Sequence, residues 1–130
     1  MVISAKTLIF TVVSFLALGF TPLFAEETVT DSSGLIWQSR SDVEKNKTWQ
    51  QALSHCENLT YAGYSDWRLP NKNELASHFR SKYANDGDYW TSSTSYSDNT
   101  SAWYIEIQYH HIQNILVDKK SNTKYVICVR

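Results

Sequence analysis

Two cysteines, Cys56 and Cys128, are all that this 130-residue chain contains, and what they do depends on the compartment they reach. The leading segment, MVISAKTLIFTVVSFLALGFTPLFA, points to one. Lys6 is its only charge, and the apolar stretch from Thr7 to Phe20 falls short of the roughly 20 residues a spanning helix needs. Pro22 interrupts the run, and Ala25 places a small residue ahead of the polar Glu26-Glu27. Residues 1–25 therefore read as a signal peptide cleaved after Ala25, although Leu23 is bulkier than such a site prefers. The leader holds no cysteine to carry a lipid, so the expected product is exported, periplasmic or secreted, with no stable membrane anchor.

In an oxidising compartment an even cysteine count reads as one disulfide. A Cys56–Cys128 bridge closes a loop of 73 residues, for which the chain-entropy relation gives about 4 kcal/mol. A domain as small as residues 26–130 gains from such a staple, because a chain this short buries only about two thirds of the surface it exposes when unfolded. The separation fits neither a C-x-x-C redox centre nor a paired-thiolate metal site. Once the leader is gone, 11 basic and 13 acidic residues remain, a net charge of −2 with no basic run. That balance excludes a dedicated nucleic-acid binder.

The pattern of residues 26–130 is that of one α+β domain. Thr28–Thr30 and Leu35–Trp37 are β-prone runs around Asp31-Ser32-Ser33-Gly34, a hairpin signature. A polar loop follows. Thr48-x-x-Gln51 has the form of a capping box, and Trp49, Ala52, Leu53, Cys56 and Leu59 recur at helical offsets behind it. Asn71-x-x-Glu74 repeats the cap after Pro70, with Leu75, Ala76, Phe79 and Tyr83 as the stripe of a second helix that Asn85-Asp86-Gly87-Asp88 stops. The remainder is β-like. Tyr89–Ser93, Trp103–Ile107 and Ile115–Val117 are expected strands, with Tyr109-His110-His111 turning between the last two. The final strand, Lys124–Val129, carries apolar residues on both faces, as a central strand covered on both sides does.

Several strings along this chain are distinctive. Gly63-Tyr-Ser-Asp-Trp-Arg-Leu-Pro-Asn71, Tyr89-Trp-Thr-Ser-Ser93, Ala102-Trp-Tyr104 and the closing Tyr125-Val-Ile-Cys-Val-Arg130 stand in that order. Together they resemble the Lcl C-terminal domain family, and the likeness runs through nearly all of residues 26–130. The resemblance implies a C-type-lectin-like fold, two helices packed on a small antiparallel sheet, with a first-helix cysteine bridged to the last strand. It also implies a bacterial envelope protein and no agreed activity. Calcium-dependent sugar binding is not implied. The Glu-Pro-Asn, Gln-Pro-Asp and Trp-Asn-Asp strings of sugar-binding C-type lectins are absent, and Leu69-Pro70-Asn71 precedes a helix. Sulfated polysaccharide is a ligand class the resemblance admits, and only a local patch of Lys119, Lys120 and Lys124 would serve it.

No nucleophile-elbow, zinc-protease, phosphate-loop or EF-hand string occurs, so motif-borne catalysis is not expected, and neither cofactor nor metal is assigned. Trp37, Trp49, Trp90 and Trp103 lie on apolar stripes and read as core, as does Trp67 with Asp66 and Arg68 beside it. Tyr64, Tyr96 and Tyr109 fall in turns or loops. The expected ligand-binding residues are Tyr96, Asp98 and Asn99 of one polar loop and Tyr109, His110 and His111 of the β-turn. The two histidines also read as ordinary exposed turn residues or as a titrating pair. Asp86-Gly87-Asp88 reads as a helix stop or as oxygen ligands for calcium. The leading expectation is an exported, non-enzymatic module that binds a surface glycan or cell-surface protein. A structural protein of the envelope and an envelope enzyme are the alternatives.

Overall fold

The computed structural model describes residues 26–82 and 84–130. The leader and Tyr83 lie outside the described residues, and with them the expectations placed on both. The hairpin forms from β1 (Thr28–Thr30) and β2 (Ile36–Gln38), which pair antiparallel with Val29 opposite Trp37. Asp31 builds its turn. One carboxylate oxygen accepts the backbone N–H groups of Ser33 (2.9 Å) and Leu35 (3.1 Å), and the other accepts the Trp37 indole N–H at 2.8 Å. Burial alone would raise the Asp31 pKa, but these bonds and that of the Ser33 hydroxyl outweigh it and hold the group at about 2.

Both capping boxes are present. Thr48 and Gln51 cap α1 (Trp49–Glu57), and Asn71 and Glu74 cap α2 (Lys72–Ser81), each side chain satisfying the other's backbone donor. Helix α1 ends before Leu59, so that residue continues the apolar stripe from beyond the helix. The segment read as a polar loop before Thr48 is instead strand β3 (Glu44–Lys47), after a 3₁₀ turn over Arg40–Asp42. Its four side chains are polar, so no alternation could reveal it. Its conformation comes from backbone pairing with the final strand.

The other strands are β4 (Gly87–Thr94), β5 (Ser101–Gln108), β6 (His111–Lys119) and β7 (Lys124–Val126), in a five-stranded sheet of order β3-β7-β4-β5-β6. The sheet is mainly antiparallel, but β4 and β7 pair in parallel at Tyr89 and Tyr125. Gly87 and Asp88 belong to β4, so the stop after α2 is shorter than expected. The tight fit requires that glycine. Gly87 sits at φ 147°, and a Cβ there would lie 2.3 Å from the Tyr125 ring. Strand β7 is shorter than expected because after Val126 the chain leaves the ladder and bonds instead to Ile36, Gln38 and Arg68.

The two-faced reading of the last segment holds in full. Ile127 and Val129 enter one core with Trp37, Leu75 and Phe79, while Val126 and Cys128 enter the other with Ala52, Cys56 and Trp90. Helix α2 packs in the first core and α1 in the second. The Cys56–Cys128 disulfide, with Cα atoms 5.6 Å apart, ties α1 to the C-terminal segment within the second. Trp37 and Trp90 are fully buried, whereas Trp49 and Trp103 are half-buried under the ammonium groups of Lys120 and Lys72 at 4.0 and 4.1 Å. His78, absent from the expected stripe, is buried in α2 with its ring stacked 4.0 Å from that of Trp37.

Candidate functional site

The expected binding residues fall into two groups at opposite ends of the β5–β6 hairpin. At about 3.3 Å per residue, the strands hold these ends roughly 20 Å or more apart. The first end is the loop from Ser95 to Thr100. Asp98 frames it, accepting the backbone N–H (2.9 Å) and hydroxyl (2.6 Å) of Thr100, the Ser101 hydroxyl (3.0 Å) and the Lys119 ammonium. Lys119 and these donors hold the Asp98 carboxyl far below its ordinary range. Its oxygens are thus occupied in building the loop. Outward stand Tyr96, 96% exposed, and the exposed side chain of Asn99. Lys120 closes the loop's base, donating to the Asn99 carbonyl at 2.7 Å while lying on Trp49.

The second end is the turn after β5. Tyr109 and His110 take φ of 53° and 64°, the geometry of a two-residue I′ turn that ordinarily recruits Asn-Gly. Two bulky residues stay there because Asp86 reaches across and accepts both backbone N–H groups, at 3.2 and 2.8 Å. The His110 ring meets the Ala84 carbonyl at 2.9 Å. His111 does not belong to the turn; it opens β6 opposite Gln108. Tyr109 is left 81% exposed.

Beside this turn lies a cluster the sequence reading missed. Arg40 of the 3₁₀ turn, with Arg80 and Lys82 at the end of α2, lines a cavity of about 460 Å³ together with His111. The available signal was the pair of basic residues closing an amphipathic helix, where cations complement the dipole. Nothing in the sequence linked them to Arg40. The lysine patch expected elsewhere is spent on internal contacts. Lys119 bonds Asp98, Lys120 lies on Trp49, and Lys124 is buried between Asp118 at 2.8 Å and the Tyr104 ring at 3.8 Å. The acids of Asp86-Gly87-Asp88 diverge, since Asp86 serves the turn while Asp88 faces Lys124 at 3.9 Å.

The most distinctive strings build the scaffold. Trp67 is buried, and its indole donates to the carbonyls of Tyr61 and Tyr64. Its sequence neighbours pair elsewhere. Asp66 pairs with Arg130, and Arg68 forms a two-bonded pair with Glu74 at 2.8 and 2.7 Å. The Arg68 backbone exchanges both hydrogen bonds with Val129, and the Arg130 guanidinium lies 3.7 Å over the Tyr64 ring. The Ser-Asp-Trp-Arg-Leu-Pro-Asn string therefore clamps the C-terminal Cys-Val-Arg. The family model for the Lcl C-terminal domain matches residues 27–130, a range that includes both strings.

This chain belongs to the Lcl C-terminal domain family. No curated protein matches it. In this Lcl C-terminal domain the clamp at Asp66 and Arg68 holds the C-terminal segment, and the exposed rings of Tyr96 and Tyr109 stand at the two hairpin ends.

Proposed function

We propose that this Lcl C-terminal domain is an exported, non-enzymatic binding module with a C-type-lectin-like fold, recognising a surface glycan or cell-surface protein through the ends of its β5–β6 hairpin. One observation carries the reading: Tyr96 and Tyr109 are nearly bare rings on loops whose backbones Asp98 and Asp86 lock in place. A tyrosine has only two side-chain torsions to order. Held on a rigid loop, it offers a stacking face at low entropic cost. Asn99 beside Tyr96 adds an amide that can both donate and accept, as a sugar hydroxyl requires. The pairing of a first-helix cysteine with the C-terminal segment supports the fold part of the proposal.

A second observation favours an acidic ligand at the Tyr109 end, where Arg40, Arg80 and Lys82 stand beside His111. A glycan array probed with the oxidised protein, in calcium and in chelator, tests both. The expected result is a reproducible hit that Tyr96→Ala with Asn99→Ala, or Tyr109→Ala with Arg80→Glu, weakens about tenfold or more. A salt-sensitive hit lost mainly with Arg80→Glu would place an acidic sugar at the second end. An array blank in both conditions would discard the glycan, and binding unchanged by both double substitutions would discard the site.

A further inference from the structure

We infer that the chain forms a two-fold dimer in which strand β6 pairs antiparallel with β6 of a second copy, centred on Leu116. The sheet has two edges, and the sequence treats them differently. The β3 edge is defended: it has four residues, carries Glu44, Lys45 and Lys47, and is bent by Asn46 at φ 58°. Short length, charge and irregularity are the usual devices that stop an edge from recruiting another strand. The β6 edge has nine residues, no proline, and an uncharged stretch from Ile112 to Val117. Its one irregularity, opposite Glu106 and Ile107, lies near the turn, which leaves Asn114 to Lys119 in unbroken register with β5. Leu116 and Val117, 42% and 44% exposed, are the large aliphatic side chains left outside among the described residues, and they are adjacent on this strand.

The occupant follows from the pairing rules. Opposed residues in an antiparallel pair must share hydrogen-bonding phase, so a two-fold axis passes through a residue position. An axis at Asp118 sets Asp118 against its own copy. An axis at Ile115 sets Lys119 against His111, and Asp118 against Ile112. An axis at Val117 sets Leu116 against Asp118. With the axis at Leu116, Leu116 meets Leu116 of the second copy and Val117 meets Ile115 twice. Asp118 then faces Asn114 and Lys119 faces Gln113, so no like charges oppose. Apolar and β-branched cross-strand pairs of this kind stabilise a sheet, and an isologous two-fold contact closes on itself without forming fibres.

Antiparallel pairing also lays the turn of one copy alongside the Lys119–Asn122 end of the other. The Tyr109 group of one chain then approaches the Tyr96 loop of its mate, so the halves of the candidate site come together across the axis. This consequence alone rests on the binding reading above; the dimer rests on the strand.

The test uses the full chain expressed with its leader and recovered with its disulfide formed. Sedimentation equilibrium without ligand should show the mass passing from one chain to two as concentration rises. Leu116→Lys, which sets two ammonium groups face to face at an exposed position, should weaken association about tenfold or more. Asn73→Lys on the outer face of α2 should leave it unchanged. Near-UV circular dichroism checks that each variant keeps its fold. Because a misfolded Leu116→Lys would be uninformative, Leu116→Cys supplies a second reading. A short thiol cross-linker should join Leu116→Cys into a covalent dimer and leave Asn114→Cys as single chains, since the proposed register separates the two copies of residue 114. A single-chain mass at every concentration, a dimer indifferent to Leu116→Lys, or equal cross-linking at 114 and 116 would overturn the proposal. A failed dimer leaves the glycan array result untouched, so the two readings fall separately.

Discussion

His78 shows how one side chain can couple stability to pH. Burial against Trp37 holds its pKa at about 4, below the ordinary 6.5, and its Nδ1 is buried without a hydrogen-bond partner among the described residues. Between these values the unfolded chain binds the proton and the folded chain resists it. The His78 contribution is therefore full above about pH 6.5, falls as pH drops through that window, and is lost below about pH 4. The loss is up to about 3 kcal/mol. Urea unfolding at a series of pH values should show this slope, and His78→Phe should reduce it, leaving the smaller part that the half-buried His55 contributes. Gly87 makes a steric statement instead. A Cβ would strike the Tyr125 ring at a φ disfavoured for other residues, so Gly87→Ala should cost about 2 kcal/mol or more in the same assay.

At the scale of elements, the β5–β6 turn departs from its expected chemistry. The sequence placed a turn over Tyr109-His110-His111; the structure has it at Tyr109 and His110, with His111 already in β6. The feature that lets two bulky residues occupy left-handed backbone, the Asp86 carboxylate, arrives from 23 residues upstream. Asp86→Ala should lower the urea midpoint of unfolding, through two lost charge-assisted bonds and the exposed strain. Replacing Tyr109-His110 by Asn-Gly in that background should recover most of the loss, because those residues adopt the turn unaided. Strand β3 makes the complementary point. Its polar residues carry no periodic signal, and its pairing partner lies about 80 positions later, Glu44 opposite Val126 and Lys47 opposite Lys124. The two helices were legible because each cap and stripe is a local pattern, set by contacts three and four residues apart.

For the whole molecule, the disulfide and the C-terminal clamp act together. Cys56–Cys128 ties α1 to the last segment, Asp66 holds Arg130, and the Arg68 backbone holds Val129. Cys56→Ser with Cys128→Ser should cost about 4 kcal/mol, read as the gap between oxidised wild type and variant in urea. Reductant should bring wild type down to the variant. The sequence by itself determined the α+β class, both capped helices, the cysteine pair, the two-faced final segment and the family, since each rests on a residue type, a local spacing or a recognisable string. Tertiary structure alone decided that the expected binding residues stand at opposite ends of a hairpin, and that Asp98 builds its loop. It alone gathered Arg40, Arg80 and Lys82 beside His111. The physical reason is range. Periodicity and caps record neighbours a few residues away, whereas strand order, register and cation placement are set by contacts between distant segments that leave no local pattern.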